Sequence, residues 1–103
     1  MISCITCGMP FEGEHKEMIG LQTMYGPVCT FDSIGDKIKT GEEIFEGGVQ
    51  FFLSTVAGGD LELAQRLTRK NMNSLPYWQE HLFDGLNGPE ATDEEFQEAM
   101  TKL

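Results

Sequence analysis

The stretch Cys4-Ile5-Thr6-Cys7-Gly8-Met9-Pro10 decides how the first third of this chain folds. Two thiols separated by two residues lie on one tight loop and can point at the same centre, which is typical of half a tetrahedral metal site. Gly8 can adopt the positive φ that turns backbone N–H groups toward thiolate sulfur. The remaining cysteine is Cys29. The sequence therefore offers three thiols and leaves one ligand position open.

Asp32 is the first choice for that open position. A Cys-x-x-Cys turn followed by a second turn with further ligands is typical of a zinc ribbon or knuckle, whose second turn would normally carry cysteine at position 32. Carboxylate oxygen is an acceptable zinc ligand, although it is harder and less tightly held than thiolate. His15, from the loop between the two turns, is the alternative fourth ligand, and His81 is a less favoured one. We predict one zinc ion held by Cys4, Cys7, Cys29 and Asp32.

Two other interpretations of the cysteines stay open. In a decayed site the thiols would be buried small hydrophobic groups and Asp32 a cap or turn residue. In a redox site the Cys-x-x-Cys motif would follow a strand and begin a helix, whose dipole lowers the pKa of the nucleophile. Only three residues precede Cys4, and Gly-Met-Pro follows Cys7, so redox chemistry is disfavoured. Because no nucleophile, base or phosphate loop stands out, we expect no enzymatic activity.

Composition narrows the class of protein further. The chain has 103 residues and a net charge of −10, from seventeen acidic and seven basic side chains, which disfavours nucleic-acid binding. We expect the basic cluster Arg66, Arg69 and Lys70 to be a solvated helix face paired with acids such as Glu62. An odd number of cysteines argues against a secreted disulfide framework. No apolar membrane span and no secretory signal are visible, so we predict a soluble, cytoplasmic protein.

The chain divides into a turn-rich part and a helical part. Residues 1–36 hold all the cysteines and predict loops and short strands, including one strand within Met18–Tyr25, with Gly26 and Pro27 turning the chain so that Cys29 ends a strand. The pattern of capping and apolar residues over 37–103 predicts three or four helices. The fold class is therefore α+β and mostly helical, with a zinc-ribbon-like hairpin packed on the helices in one compact unit.

Capping residues predict where the helices begin. Thr40 with Glu43, and Thr92 with Glu95, form capping boxes, and Asp60 is a natural N-cap for a helix over 61–72. A third helix is predicted after a Ser74 cap, with Leu75, Trp78 and Leu82 facing inward, Phe83 as a further candidate for that face, and Gly85 ending it. The last helix should bury Phe96, Ala99, Met100 and Leu103. In the first helix, Gly47 and Gly48 predict a kink or a close backbone approach, for example to the zinc module.

The motif Cys4-x-x-Cys7-Gly8-Met9-Pro10 resembles the opening of a family of small, uncharacterised bacterial and archaeal zinc ribbon domain proteins. In that family Cys-x-x-Cys-Gly-Met-Pro is followed by a second Cys-x-x-Cys and a helical tail. The resemblance covers residues 1–35, and the segment Arg69–Trp78 is similar in outline to the family's tail. It implies that Cys4, Cys7 and Cys29 are metal ligands, whereas Asp32 departs from the pattern. The family has no established activity.

A closed four-ligand site performs no chemistry and serves as a structural staple, so the sequence favours a protein-interaction module that binds a partner protein through a helical or acidic surface. The first alternative is a metal-handling protein, thiol-based sensor or enzyme in which the three-cysteine site is labile at Asp32. The second is a nucleic-acid-binding ribbon that uses Arg66, Arg69 and Lys70, which the net charge of −10 disfavours.

Overall fold

The computed structural model describes residues 2–103, and within them the chain forms four α-helices and two small antiparallel hairpins. The strands are β1 Ile19–Thr23, β2 Gly26–Cys29, β3 Ser33–Ile34 and β4 Lys37–Ile38. The helices are α1 Gly41–Thr55, α2 Leu61–Asn73, α3 Pro76–Glu80 and α4 Asp93–Thr101. The predicted α+β, mostly helical fold is confirmed. Among residues 2–103 no helix has both the length and the apolar character needed to cross a bilayer.

The first hairpin turns earlier than the sequence suggested. Thr23 lies opposite Gly26 in the β1–β2 ladder, so the connection is a two-residue turn. The Thr23 hydroxyl closes it by accepting the Tyr25 N–H at 3.1 Å and donating to the Gly26 carbonyl at 2.8 Å. Gly26 and Pro27 therefore begin β2, and the prediction that they form the turn was wrong. Cys29 is nevertheless the last residue of a strand, as predicted.

Three of the four predicted helix caps are confirmed. Thr40 accepts the Glu43 N–H at 3.2 Å while the Glu43 carboxylate accepts the Thr40 N–H at 3.2 Å, and Thr92 with Glu95 forms the same reciprocal pair at 3.1 and 2.9 Å. The Asp60 carboxylate accepts the Leu63 N–H at 3.1 Å. Each of these bonds satisfies an N–H group that a helix start leaves without an intrahelical partner. Local chemistry thus fixes the beginnings of α1, α2 and α4.

The third helix differs from its prediction. Ser74 caps no helix start, because its hydroxyl donates to the Asn71 carbonyl at 2.6 Å and closes the last turn of α2. The five-residue helix α3 then ends well before Gly85, and Leu82 is 74% exposed instead of buried. Phe83 occupies the inward position, with its ring centroid 5.3 Å from that of Trp78. At the other end of the helical region Leu103 lies beyond α4 and is 58% exposed, so its predicted burial was also wrong.

Gly48 marks the close approach between α1 and α2. A Cβ placed on Gly48 would lie 2.9 Å from the Thr68 Cγ2 atom, whereas one on Gly47 would meet nothing within 4 Å. The close approach that the glycine pair predicted is therefore real, but it is made to α2 and not to the cysteine-bearing module. The α1–α2 interface and α4 together form the main core. The buried residues of this core are Val49, Phe52, Ala57, Ala64, Leu67, Ala91 and Ala99.

The basic residues of α2 are engaged within the molecule. Arg66 pairs with Glu62 at 3.6 Å and with Glu95 at 2.6 Å, and Lys70 pairs with Asp93 at 2.7 Å. The Arg69 guanidinium donates to backbone carbonyls of the segment that precedes α4. The predicted pairing with acids, including Glu62, is confirmed, but the face is partly buried and not solvated, because the pairs to Glu95 and Asp93 tie α2 to α4.

Candidate metal centre

The first cysteine turn is closed by its own backbone. The Cys4 N–H donates to the Met9 carbonyl at 2.9 Å, and the Gly8 N–H donates to the Cys4 carbonyl at 2.8 Å. Gly8 has φ +81°, a value that side chains with a Cβ rarely adopt, so glycine is needed there. The predicted positive φ is confirmed, although the N–H it redirects goes to a carbonyl and not to sulfur. Both Cys4 and Cys7 are thereby held on one side of the loop.

The segment that carries Cys29 is joined to the first turn by two hydrogen bonds that backbone N–H groups donate. The Ile5 N–H donates to the Pro27 carbonyl at 3.0 Å, and the Cys29 N–H donates to the Cys4 sulfur at 3.3 Å. After Cys29 the chain bends so that the Asp32 N–H reaches the Cys29 carbonyl at 3.1 Å. This bend brings the Asp32 side chain back toward the three cysteines.

Four side chains meet between these turns: Cys4, Cys7, Cys29 and Asp32. One ligand atom from each lies within 4.8 Å of all the others. The Cys7 and Cys29 sulfurs are 3.7 Å apart, and the Cys4 sulfur is 3.8 Å from the Asp32 Oδ2 atom. Two sulfurs bound to one tetrahedral zinc at its usual bond length would be about 3.8 Å apart. The cluster could therefore hold a metal ion.

No disulfide joins the cysteines of residues 2–103. A disulfide needs about 2.05 Å between its sulfurs, and all three cysteines are free. Cys7 is followed by turn and extended chain and not by a helix, so the motif lacks the helix N-terminus of a thiol-disulfide enzyme. This geometry favours the metal interpretation over the redox one.

Both histidines lie outside the cluster. His15 ends the exposed 3-10 turn Gly13–His15 and contributes no atom to the group of four. His81 is half-buried, with its Nδ1 atom 2.8 Å from the Tyr77 carbonyl and its ring stacked on the Tyr77 ring at 4.1 Å. The structure thus brings Asp32, and neither alternative ligand, to the three thiols.

The carboxylate of Asp32 is buried without a cation. Asp32 is 7% exposed, Cys4 and Cys29 are fully buried, and none of the four ion pairs within residues 2–103 includes Asp32. Its hydrogen-bond donors are the Thr6 hydroxyl, at 2.7 Å, and the Cys4 thiol, at 3.8 Å. Burying an ionised carboxylate without an opposite charge is costly, so a divalent cation among these atoms would remove a large unfavourable term.

The four groups shift one another's pKa values in different directions. The hydrogen bond to Cys29 lowers the pKa of the Cys4 thiol. Hydrogen bonding to Cys29 and Cys4 raises the pKa of Cys7, and the hydrogen bond to Cys4 raises the pKa of Cys29 to about 12. Burial raises the pKa of the Asp32 carboxyl above its ordinary value. Without a cation, the cluster therefore favours one thiolate, and ionisation of the other thiols and of the Asp32 carboxyl is disfavoured. A bound metal reverses this balance because it deprotonates its thiol ligands.

The chain matches no family model, no curated protein and no solved structure. Its resemblance to zinc ribbon domain proteins stays a prediction.

Three residues that hold the cluster were missed at the level of sequence. The fully buried Thr6 bonds to Asp32, the Asn71 amide of α2 donates to the Cys7 carbonyl at 2.9 Å, and the Trp78 indole N–H of α3 donates to the Thr6 carbonyl at 2.9 Å. Trp78 was predicted as core, which its 3% exposure confirms, but its polar contact was not anticipated. The available signal was weak: a polar residue between two cysteines, and an amide beside the buried Met72.

Proposed function

We propose that this protein binds one zinc ion in a zinc-ribbon-like module through Cys4, Cys7, Cys29 and Asp32, and that the metal has a structural and not a catalytic role. The observation that carries the proposal is the convergence of four ligand atoms within 4.8 Å from two separate turns. Thiolate ligands favour zinc over magnesium or calcium, which prefer oxygen ligands. Three thiolates with one carboxylate are an acceptable tetrahedral zinc set.

Burial supports a structural site over a labile one. The metal-handling or sensing alternative needs a position where water or an exchanging ligand can enter. Asp32, the weakest ligand and the natural entry point, is only 7% exposed and is held by the Thr6 hydroxyl. A closed four-ligand site has the form of a structural zinc centre.

The cysteine-bearing module of residues 2–36 has a small hydrophobic core, which explains why it needs a stabilising metal. Its buried hydrophobic side chains are Cys4, Phe11, Val28 and Cys29, so half of them are proposed ligands. A module of this size rarely buries enough apolar surface to be stable without a disulfide or a metal. Zinc would supply the missing folding free energy.

Metal content and a pair of matched variants test the proposal. Untagged protein should carry one zinc per chain, and Asp32→Ala should bind zinc more than about 100-fold more weakly, because loss of a ligand should exceed the loss typical of an outer-shell partner. His15→Ala removes an exposed residue outside the cluster and should bind zinc as the wild type does. Metal analysis and competition with a chelating dye measure both.

Wild-type protein that contains no zinc and takes up none would refute the proposed function. If His15→Ala and not Asp32→Ala weakened zinc binding, the ligand set would instead be the alternative one that includes His15.

The module that zinc would hold together also presents apolar side chains. Six of the ten large hydrophobic residues that are exposed within residues 2–103 lie in the first 34 positions: Ile2, Ile19, Met24, Tyr25, Phe31 and Ile34. Contiguous exposed apolar patches are typical of interaction surfaces, and these side chains are the candidates we propose for contact with a partner. With a net charge of −10 and the basic residues of α2 largely paired, it supports a protein partner over nucleic acid.

Chemical cross-linking in cell extract tests this part of the proposal. The double variant Phe31→Ser and Ile34→Ser should keep its zinc and lose any cross-linked partner that the wild type captures. Phe51→Ser, which removes an exposed ring from α1, should retain the partner. A partner kept by the double variant and lost by Phe51→Ser would place the interaction surface on α1 instead.

A further inference from the structure

The side chain of Thr6 lies between the two halves of the cluster. Its hydroxyl oxygen is 2.7 Å from the Asp32 Oδ2 atom and 3.1 Å from the Cys4 sulfur. Thr6 is fully buried. Burying a hydroxyl is unfavourable unless it forms a hydrogen bond, so the contacts of the Thr6 hydroxyl with Asp32 and Cys4 account for its burial.

The hydrogen bond from the Thr6 hydroxyl to the Asp32 carboxylate is of the short, charge-assisted type. A hydroxyl donating to an ionised carboxylate gives oxygen separations of about 2.5–2.7 Å, at the short end of such bonds. A hydroxyl has a single proton to donate. With that proton directed to Oδ2, the orientation of the carboxylate is fixed, and its remaining lone pairs stay available to a metal.

The backbone of Thr6 is itself held from the helical part. The Trp78 indole N–H donates to the Thr6 carbonyl at 2.9 Å, and the next carbonyl, that of Cys7, accepts the Asn71 amide. Thr6 therefore cannot shift without breaking contacts to α2 and α3. An outer-shell donor acts best when its own position is fixed in this way.

We propose that Thr6 is the positioning residue that makes Asp32 a metal ligand and adapts this site to a carboxylate in place of a fourth thiolate. This inference rests on the proposed zinc function. A thiolate at position 32 would gain little from the hydroxyl, because sulfur is a weak acceptor. The residue between the two cysteines thus compensates for the departure from a four-cysteine site.

Zinc and cobalt titrations of four variants test the inference. Thr6→Val removes the hydroxyl at nearly constant shape and should weaken zinc binding by about 10- to 100-fold, the usual effect of losing an outer-shell partner. Thr6→Ser keeps the hydroxyl and should bind as the wild type does. In an Asp32→Cys background, the further change Thr6→Val should leave zinc affinity unchanged. The charge-transfer absorption of bound Co²⁺ scales with the number of thiolate ligands. Asp32→Cys should therefore raise it by about one third, from that of three thiolates to that of four.

The outcomes separate this inference from the function on which it rests. If wild-type protein binds neither zinc nor cobalt, the proposed function fails. If the wild type binds and Thr6→Val binds equally well, the function survives and the role of Thr6 is refuted. If Thr6→Val weakens binding by the same factor in the Asp32→Cys background, Thr6 merely supports the fold, and the positioning role is again refuted. Far-UV circular dichroism of each metal-loaded variant confirms that folded proteins are compared.

Discussion

Removing the metal should lower the melting temperature by about 20 °C and unfold the cysteine-bearing module first. Zinc binding to the folded state alone contributes about 4 kcal/mol when free zinc is a thousand times the Kd, and each kcal/mol moves the melting temperature of a chain this size by about 4–8 °C. The helices should suffer less, because the core shared by α1, α2 and α4 contains none of the proposed ligands. Melts followed by far-UV circular dichroism, with and without a chelator, measure the shift.

The single tryptophan gives a local reading of the same event. The Trp78 indole is 3% exposed and bonded to the Thr6 carbonyl, so detachment of the module should hydrate the ring and shift its emission to longer wavelength before helical signal is lost. Cys29→Ser, which should not bind the metal, is the control and should melt alike with and without chelator. A wild-type melt that a chelator leaves unchanged would contradict the structural role of the metal.

Local chemistry explains which features could be predicted from the sequence. The capping boxes at Thr40 and Thr92 involve groups three residues apart, and both form as predicted. The Cys-x-x-Cys spacing likewise places two ligands on one turn whatever the rest of the chain does. Asp32 was identified because the spacing of the second turn mirrors that of the first. Such signals survive because they depend on few neighbours.

The features that were missed depend on contacts between distant segments. Ser74 could cap either the end of α2 or the start of α3, and only the packing that follows decides between them. Trp78 and Thr6 are 72 positions apart, and Thr6 and Asp32 are 26 apart. No periodicity or motif connects such pairs. The residues that hold the site could therefore be identified only from the packing of the helical part against the cysteine turns.

Replacing Trp78 should be among the most damaging single changes in the chain. Its ring packs in a buried cluster with Ile44, Met72 and Leu86, and its indole N–H is the buried polar link to the cysteine turn. Truncation of a buried aromatic side chain to alanine costs about 3–5 kcal/mol. Since domains of this size are stable by only about 5–15 kcal/mol, Trp78→Ala should leave the protein marginally folded. Urea unfolding in the presence of zinc measures the loss.

A milder variant separates the two roles of this side chain. Trp78→Phe keeps an aromatic ring but leaves the Thr6 carbonyl without its donor, which should cost about 1–3 kcal/mol. Because that donor also fixes Thr6 beneath Asp32, zinc affinity should fall together with stability. Phe83→Leu, which perturbs the aromatic contact on the other side of Trp78, should lower stability while leaving zinc affinity unchanged. Equal zinc affinities for Trp78→Phe and the wild type would show that the helical part supports the fold without holding the metal ligands in position.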